Sequence, residues 1–168
     1  MPVEQGLPFD PIARAGDLWE EHFGDSTAMR FVTSVMRAQQ ILLATLDGAL
    51  RPHGITFARY EVLVLIAFSR EGRLPLSKIG QRLQVHPTSV TNAIDRLVAA
   101  GLVTRTADET DRRRVFAALT PEGKDVVQRA TDALTALDFG VPGLQEDDQR
   151  AGFALLRTLR LAAGDFEE

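Results

Sequence analysis

Residues 87–100 place two kinds of side chain on opposite faces of a predicted helix. One face is apolar and recurs at helical spacing: Val90, Ala93, Ile94, Leu97 and Val98. The other carries short hydrogen-bonding groups and one cation: Thr88, Ser89, Thr91, Asn92 and Arg96. Short side chains let a helix approach the floor of a DNA groove, an Asn amide can pair with an adenine edge, and a helix N-terminus can bind phosphate. The pattern is equally compatible with a polar helix face that contacts only solvent.

A second group of charged side chains lies in residues 108–114, which contain three arginines, two aspartates and a glutamate. Arginine is suited to a narrow minor groove, where the negative potential of DNA is strongest. Asp111 and Arg113 are two residues apart, so on an extended loop they share a face and the carboxylate can orient the guanidinium. The alternative is a solvated turn with weak ion pairs.

The distribution of charge favours the same region of the chain. The 168 residues carry a formal net charge of −4. Residues 73–114, however, contain eight basic and four acidic residues, whereas the segments on both sides are acidic. A local basic surface attracts phosphates whatever the total charge, because salt screens charges beyond about 8–10 Å. Chance clustering on a solvated face is the alternative explanation.

The elements that must position these residues follow from caps and periodicity. Predicted helices begin at Asp10-Pro11, Ser26, Thr56, Ser77, His86-Pro87, Thr120-Pro121 and Glu146, and the third runs to Phe68. The second ends at Arg51-Pro52-His53-Gly54, and the sixth reaches Leu137 before Val141-Pro142-Gly143 breaks it. Alternation around Val103 and over 115–119 predicts a β-hairpin. The fold expected is mostly α with a small β-hairpin, in the order of a winged helix-turn-helix.

Composition excludes several classes of protein. The chain has no cysteine, so it has no disulfide, thiolate zinc site or iron–sulfur cluster. Its longest apolar run, Val62–Phe68, is far shorter than the roughly 18 residues of a membrane span, and no secretory signal is recognisable, so a cytoplasmic protein is expected. His22, His53 and His86 share no metal-ligand spacing, and there is no nucleophile triad order, Gly-rich phosphate loop or HExxH motif. No enzyme activity, metal or cofactor is expected.

Several motifs together resemble the MarR family of transcriptional regulators. They are Leu76-Ser77-x-Ile79 through Leu83, PTSVTNAIDRL over 87–97, Gly101-Leu102-Val103-x-Arg105, Asp108, Asp111-Arg112-Arg113 and Leu119-Thr120-x-x-Gly123. The resemblance is close over residues 74–123 and extends by helix order from Ser26 to Ala163. The run from Gly101 to Gly123 is its specific part, because helix-turn-helix spacing alone is common.

The resemblance implies a set of contacts with double-stranded DNA. Residues 87–100 would be the recognition helix, with base and phosphate contacts from Thr88, Ser89, Thr91, Asn92 and Arg96. Asp111 would aim Arg113 into the minor groove from the wing, and Arg112 and Arg114 would contact the backbone. Ser77, His86 and Pro87, at the starts of the two helices of the motif, complete the expected DNA-binding set. His86 departs from the family, which often has Ser or Asn as the cap; imidazole caps less well and can add a phosphate contact.

The resemblance also implies a homodimer whose first and last helices interlock on a pseudo-palindromic site. The expected organisation is a flexible arm (1–9), N-terminal dimerisation helices (10–54), the winged domain (55–120) and C-terminal dimerisation helices (121–168). The helices before Pro52 and after Leu144 hold many apolar residues without a partner in a minimal winged domain, and symmetric pairing is common. Packing into a monomer core is the alternative.

Family members often bind small phenolic or carboxylate effectors between the dimerisation helices and the winged domain, which weakens DNA binding. Candidate effector contacts are Trp19, Arg37, His53, Arg59 and Tyr60. Each has a plainer role as an ion-pair partner, loop residue or apolar plug. The function expected is therefore a ligand-responsive repressor that binds a pseudo-palindromic operator as a homodimer. The alternative is a sequence-tolerant architectural DNA-binding protein without a small-molecule effector.

Overall fold

The structure, a computed structural model, describes residues 6–108 and 114–167. Contacts between Cα atoms divide the chain into two compact units, residues 1–44 and 45–168. The predicted arm, residues 1–9, lies partly outside the described residues, and residues 6–9 are not helical. None of the described helices combines the length and apolar character that crossing a bilayer requires.

The first unit contains α1 (Pro11–Phe23) and most of α2 (Thr27–Leu50). The predicted cap of α1 is confirmed, because the Asp10 carboxylate accepts from the backbone N–H of Ile12 at 2.8 Å. Ser26 directly precedes α2, as predicted for its cap, but its hydroxyl bonds side chains instead of the first backbone N–H groups of the helix. It is buried, donates to Glu20 and accepts from Nε of Arg30 at 2.6 Å.

Arg30 links α1 to α2 within this unit. Its guanidinium donates to the carbonyl of Ala13 at 2.8 Å and to Asp17 at 2.7 Å, and the bond with Asp17 raises the arginine's pKa. Gly16 is buried where the guanidinium crosses α1, and a Cβ there would overlap it. The glycine therefore allows the close approach on which this link depends.

The second unit contains the remaining elements, and the order of its helices and strands is typical of a winged helix. After the end of α2 they are a 3-10 turn (Arg51–His53), α3 (Phe57–Ala67), β1 (Arg73–Pro75), α4 (Leu76–Leu83), α5 (Pro87–Ala99), β2 (Val103–Ala107), β3 (Val115–Leu119), α6 (Pro121–Ala136), a 3-10 turn (Asp138–Gly140) and α7 (Glu146–Ala162). The prediction of a mostly helical chain with a small hairpin is confirmed.

The sheet has one strand more than predicted. Its order is β1-β3-β2, with both pairs antiparallel, and β1 pairs Arg73 with Ala118 and Pro75 with Phe116. Because β1 leads directly into α4, the prediction that Ser77 caps this helix is wrong. Pro75 occupies the cap position in extended conformation, and Ser77 is the second residue of the helix.

Two other helix ends differ from the predictions. Thr56 does occupy the cap position of α3, but it makes no side-chain cap bond. Instead the Asp47 carboxylate of α2 accepts from the N–H of Phe57 at 2.7 Å. The helix α6 ends at Ala136, earlier than predicted, because Asp138 and Phe139 adopt positive φ angles of 49° and 48°.

The core of the second unit lies where α3, α4, α5 and α6 meet the sheet. Its largest fully buried side chains come from the end of α2 and from α3, α4, α5 and α6: Leu50, Leu63, Ile66, Ile79, Ile94, Leu97 and Leu134. Burying such a side chain contributes roughly 1.5–3 kcal/mol. Ile94 and Leu97 thus fix one face of α5 to the core and leave the opposite face at the surface.

Candidate nucleic-acid interface

The N-terminus of α5 is exposed and capped by an imidazole. Nδ1 of His86 accepts from the backbone N–H of Thr88 at 3.2 Å and lies 3.1 Å from the Thr88 hydroxyl. Pro87 follows at the first helical position, where its missing N–H is no loss. Imidazole caps less well than Ser or Asn, yet here the ring of His86 accepts the bond that those side chains accept in a helix cap.

The polar face of α5 is open along its length. Thr88, Ser89, Asn92 and Arg96 are exposed, whereas Thr91 is half-buried and its hydroxyl donates to the carbonyl of Pro87 at 3.1 Å. No described residue forms a side-chain hydrogen bond with Asn92, so its amide can pair with an outside partner. Four of the five polar residues that the sequence places on this face are thus exposed, and their contact with DNA stays a prediction.

The turn between α4 and α5 brings Ser77 close to this surface. Gln84 closes α4 in the left-handed region, with φ of 53°, and the N–H of Val85 donates to the carbonyl of Gly80 at 3.1 Å. A groove of about 570 Å³ runs between the two helices, and both Ser77 and Thr91 line it. Ser77 is exposed, on the α4 side of that groove.

An ion pair joins α5 to the hairpin. Arg105 of β2 pairs with Asp95, on the flank of α5 next to Arg96. From the sequence, Arg105 is part of a family motif without a site role of its own. Arg105 and Asp95 are separated by the turn between α5 and β2. Because the sequence does not determine the geometry of that turn, only the structure identifies the pair.

The root of the wing is described, and its tip is not. The N–H of Asp108 donates to the carbonyl of Arg114 at 2.9 Å, which closes the hairpin. Arg114 is exposed, with its guanidinium 5.2 Å from the centre of the Phe116 ring. Asp111, Arg112 and Arg113 lie outside the described residues, so the pair of Asp111 with Arg113 stays a prediction.

The five candidate effector residues fall into both units. Trp19 packs against Phe23 with ring centres 5.0 Å apart, and Arg37 is exposed and lies 3.4 Å from the amide oxygen of Gln40. Both belong to residues 6–44, whereas the other three candidates belong to the second unit.

Those three have different surroundings. Arg59 is half-buried and lines a cavity of about 370 Å³ with Asp47, Arg51 and Thr56. His53 ends the 3-10 turn and is also half-buried. Tyr60 is buried, and its hydroxyl forms a 2.9 Å hydrogen bond with Thr131 of α6, as a core residue would. Within residues 6–108 and 114–167, no three His, Asp or Glu side chains converge on a point that could hold a metal ion.

Comparison with known proteins gives a consistent result. The MarR family sequence model matches residues 53–114. An HTH-type transcriptional regulator of Bacillus subtilis, YhbI, is 31% identical over 119 residues, which is 71% of this chain and 72% of that protein. The crystal structure of a MarR family transcriptional regulator from Streptomyces coelicolor superposes with a TM-score of 0.77 at 52% identity, covering 84% of this chain and 98% of that one. The regulator MosR of M. tuberculosis, solved in complex with DNA, gives a TM-score of 0.67 at 25% identity, covering 79% and 96%.

Proposed function

Because the chain belongs to the MarR family of transcriptional regulators, we propose that it is a repressor that binds a pseudo-palindromic DNA operator as a homodimer and is released by a small effector. The observation that carries this proposal is the exposed face of short polar side chains on α5, held outward by Ile94 and Leu97 in the core. A helix presented in this way can lie in the major groove.

Each residue of this face has a role in the proposed complex. Asn92 pairs with an adenine edge, and Thr88, Ser89 and Thr91 add hydrogen bonds to bases or phosphates. Arg96 contacts the phosphate backbone, as do the first N–H groups of α5 behind His86 and Pro87. Ser77, beside Thr91 along the groove between α4 and α5, reaches the same strand.

The wing supplies the second contact. Arg113, aimed by Asp111, enters the adjacent minor groove, while Arg112 and Arg114 bind the backbone on either side. The MosR structure in complex with DNA supports a nucleic-acid partner for this fold at 25% identity.

The dimer is supported by apolar side chains that the described residues leave uncovered. In the first unit they lie on α1 and α2, and in the second unit on α7: Trp19, Phe23, Phe31, Met36, Ile41, Phe153, Leu155 and Leu159. We assign 10–54 and 121–168 to dimerisation and 55–120 to DNA binding, as the family organisation implies. A two-fold assembly presents two α5 helices to half-sites about 34–36 Å apart.

For the effector, the cavity at the end of α2 offers the best-defined contact. Arg51 and Arg59 both line it, and two guanidiniums suit a carboxylate. Trp19, Arg37 and His53 stay effector contacts that only the family resemblance implies. Tyr60 would have to give up its bond with Thr131, so its contribution is the packing of its ring.

The deciding experiment is an anisotropy titration at about 0.15 M salt with duplex DNA from the flanking intergenic region and a shuffled duplex. We expect the native sequence to bind at least 10³-fold more tightly. Asn92→Ala should weaken specific binding by roughly 5–150-fold, corresponding to about 1–3 kcal/mol, and leave binding to shuffled DNA unchanged. Arg113→Ala should weaken specific binding as well.

Gln128→Ala, on the exposed surface of α6 and outside the proposed DNA contacts, is the control; once sedimentation has verified that this variant is still a dimer, it should change neither affinity. Equal affinity for both duplexes, with a steep salt dependence, would instead assign the chain to sequence-tolerant architectural binders without an effector.

A further inference from the structure

A cleft of about 610 Å³ opens at the root of the wing, and no residue of α5 is among those that line it. Three parts of the second unit surround it: the segment between α3 and β1, the α4 helix, and the hairpin ends at Asp108 and Arg114. Its volume is in the range of small-molecule sites, which is roughly 300–1,000 Å³. None of the residues assigned to base contacts lines it, and of the described residues assigned to the DNA backbone only Arg114 does.

The cleft is strongly cationic. Five of its lining residues are basic and two are acidic: Arg70, Arg73, Lys78, Arg82 and Arg114 against Glu71 and Asp108. The two ion pairs within it are long, 3.5 Å between Arg73 and Glu71 and 3.9 Å between Arg114 and Asp108. Most of the positive charge is therefore not neutralised by these acids.

Three of these cations pair with no carboxylate among the residues that the structure describes: Arg70, Lys78 and Arg82. Lys78 and Arg82 also stand four residues apart on α4, which is an unfavourable spacing for two like charges. An anion bound between them would remove this repulsion.

Two of the guanidiniums are held in place by an aromatic ring. Phe116 is buried, and Arg73 and Arg114 lie 4.5 and 5.2 Å from the centre of its ring. Cation–π contacts restrict both side chains before any ligand arrives, which lowers the entropy lost on binding. Buried Leu74 and Pro75 supply the rigid backbone beneath.

We propose that this cleft binds a small polyanion that carries at least two oxyanion groups, such as phosphates or carboxylates. Its cations come from three elements and converge on one concavity, so a single oxyanion would reach only part of them. Arginine forks bind phosphate and carboxylate in a bidentate manner, and Lys78 adds a point charge. A DNA backbone phosphate is the other source of this chemistry, and the test below distinguishes the two because it measures small-anion binding and operator binding separately.

The test is calorimetric titration of the full chain with inorganic pyrophosphate and, separately, citrate, at constant ionic strength. Lys78→Ala/Arg82→Ala removes two cleft cations from exposed positions. Lys124→Ala/Arg129→Ala removes the same charges from the exposed surface of α6, and Arg59→Ala removes the effector contact proposed above. Thermal unfolding verifies that all variants are folded.

Saturable binding that weakens at least tenfold in the α4 variant, and less than twofold in the other two, would support the cleft. Equal loss in the α4 and α6 variants, or loss only with Arg59→Ala, would overturn it. So would the absence of saturable binding. If the α4 variant lost only affinity for operator DNA, these cations would belong to the DNA contact and the small-molecule site would be rejected. The calorimetric result does not depend on operator binding, so it can fail while the proposed repressor function stands.

Discussion

Gly123 shows how a single hydrogen atom can be required in this fold. It lies in the first turn of α6, its N–H bonds the Thr120 hydroxyl at 2.9 Å, and a Cβ there would overlap the carbonyl of Leu102. That carbonyl also accepts from the N–H of Thr120 at 3.1 Å, so it cannot move away freely. The close approach of Gly123 to Leu102 therefore packs the first turn of α6 against the segment that follows α5.

We expect Gly123→Ala to destabilise the chain by about 1–3 kcal/mol through this overlap. Gly48→Ala is the control, because Gly48 lies within α2 with open space around its Cβ position, and alanine there should stabilise by about 0.5–1 kcal/mol. Urea unfolding measures both. Effects of the same sign would refute the steric explanation for Gly123.

Glu61 makes stability depend on pH. Burial on α3 raises the pKa of its carboxyl above the ordinary value, so the charged form is less favourable in the folded state than in the unfolded chain. Stability is therefore lower above the raised folded pKa, and the loss is recovered as the pH falls toward the unfolded value of about 4.3.

Glu61→Gln should raise the free energy of unfolding at pH 7, by less than about 1 kcal/mol because the group is only half-buried. The gain should shrink as the pH is lowered through this window toward 4.3. Urea unfolding at several pH values, with Glu21→Gln on exposed α1 as control, checks this. A gain that stayed constant with pH would show that the charge of Glu61 is not its cause.

Among the elements, helices with strong local signals were predictable. Asp10 and Thr120 cap their helices as predicted, because an acceptor side chain followed by proline determines the first turn by itself. The strand β1 is not predictable in this way, since three residues show no alternation and its pairing partner β3 lies far along the chain, with Arg73 opposite Ala118. The true cap of α3 was missed for the same reason: Asp47 reaches it from another helix.

Asp47 and Thr56 offer a matched pair for measuring that cap. Asp47→Ala should cost about 0.5–2 kcal/mol, because it leaves the N–H of Phe57 without its acceptor. Thr56→Ala should cost less, since the threonine makes no cap bond despite its position. Denaturant unfolding of both variants measures the two losses of stability and shows which is larger. A larger loss for Thr56→Ala would restore the cap predicted from sequence.

Across the whole chain, the sequence groups the exposed polar residues of α5, whose contact with DNA stays a prediction, but it does not group the residues that line the cleft beside the wing. The face of α5 repeats within one helix, so periodicity alone groups Asn92 with Arg96. The cleft gathers Lys78, Arg82 and Arg114, whose proximity depends on how α4 packs against the sheet. Charge counting identified the basic segment without indicating which of its cations converge.

The assembly itself is testable through α7. Phe153, Leu156 and Leu159 recur along this helix and are exposed, at 64%, 39% and 52%. If they form the dimer interface, Phe153→Ser/Leu156→Ser should raise the dimer dissociation constant at least tenfold, since truncating a buried anchor commonly costs more than about 1.4 kcal/mol. Sedimentation equilibrium measures this.

Phe68→Ser is the control, because Phe68 is 77% exposed just after α3 and is not part of either dimerisation segment. It should leave the dimer intact. A native chain that sediments as a monomer at every concentration would remove the basis for two-fold operator recognition. If the α7 variant alone becomes monomeric, its affinity for the full operator should fall toward that for a half-site, because one α5 helix then supplies all the base contacts.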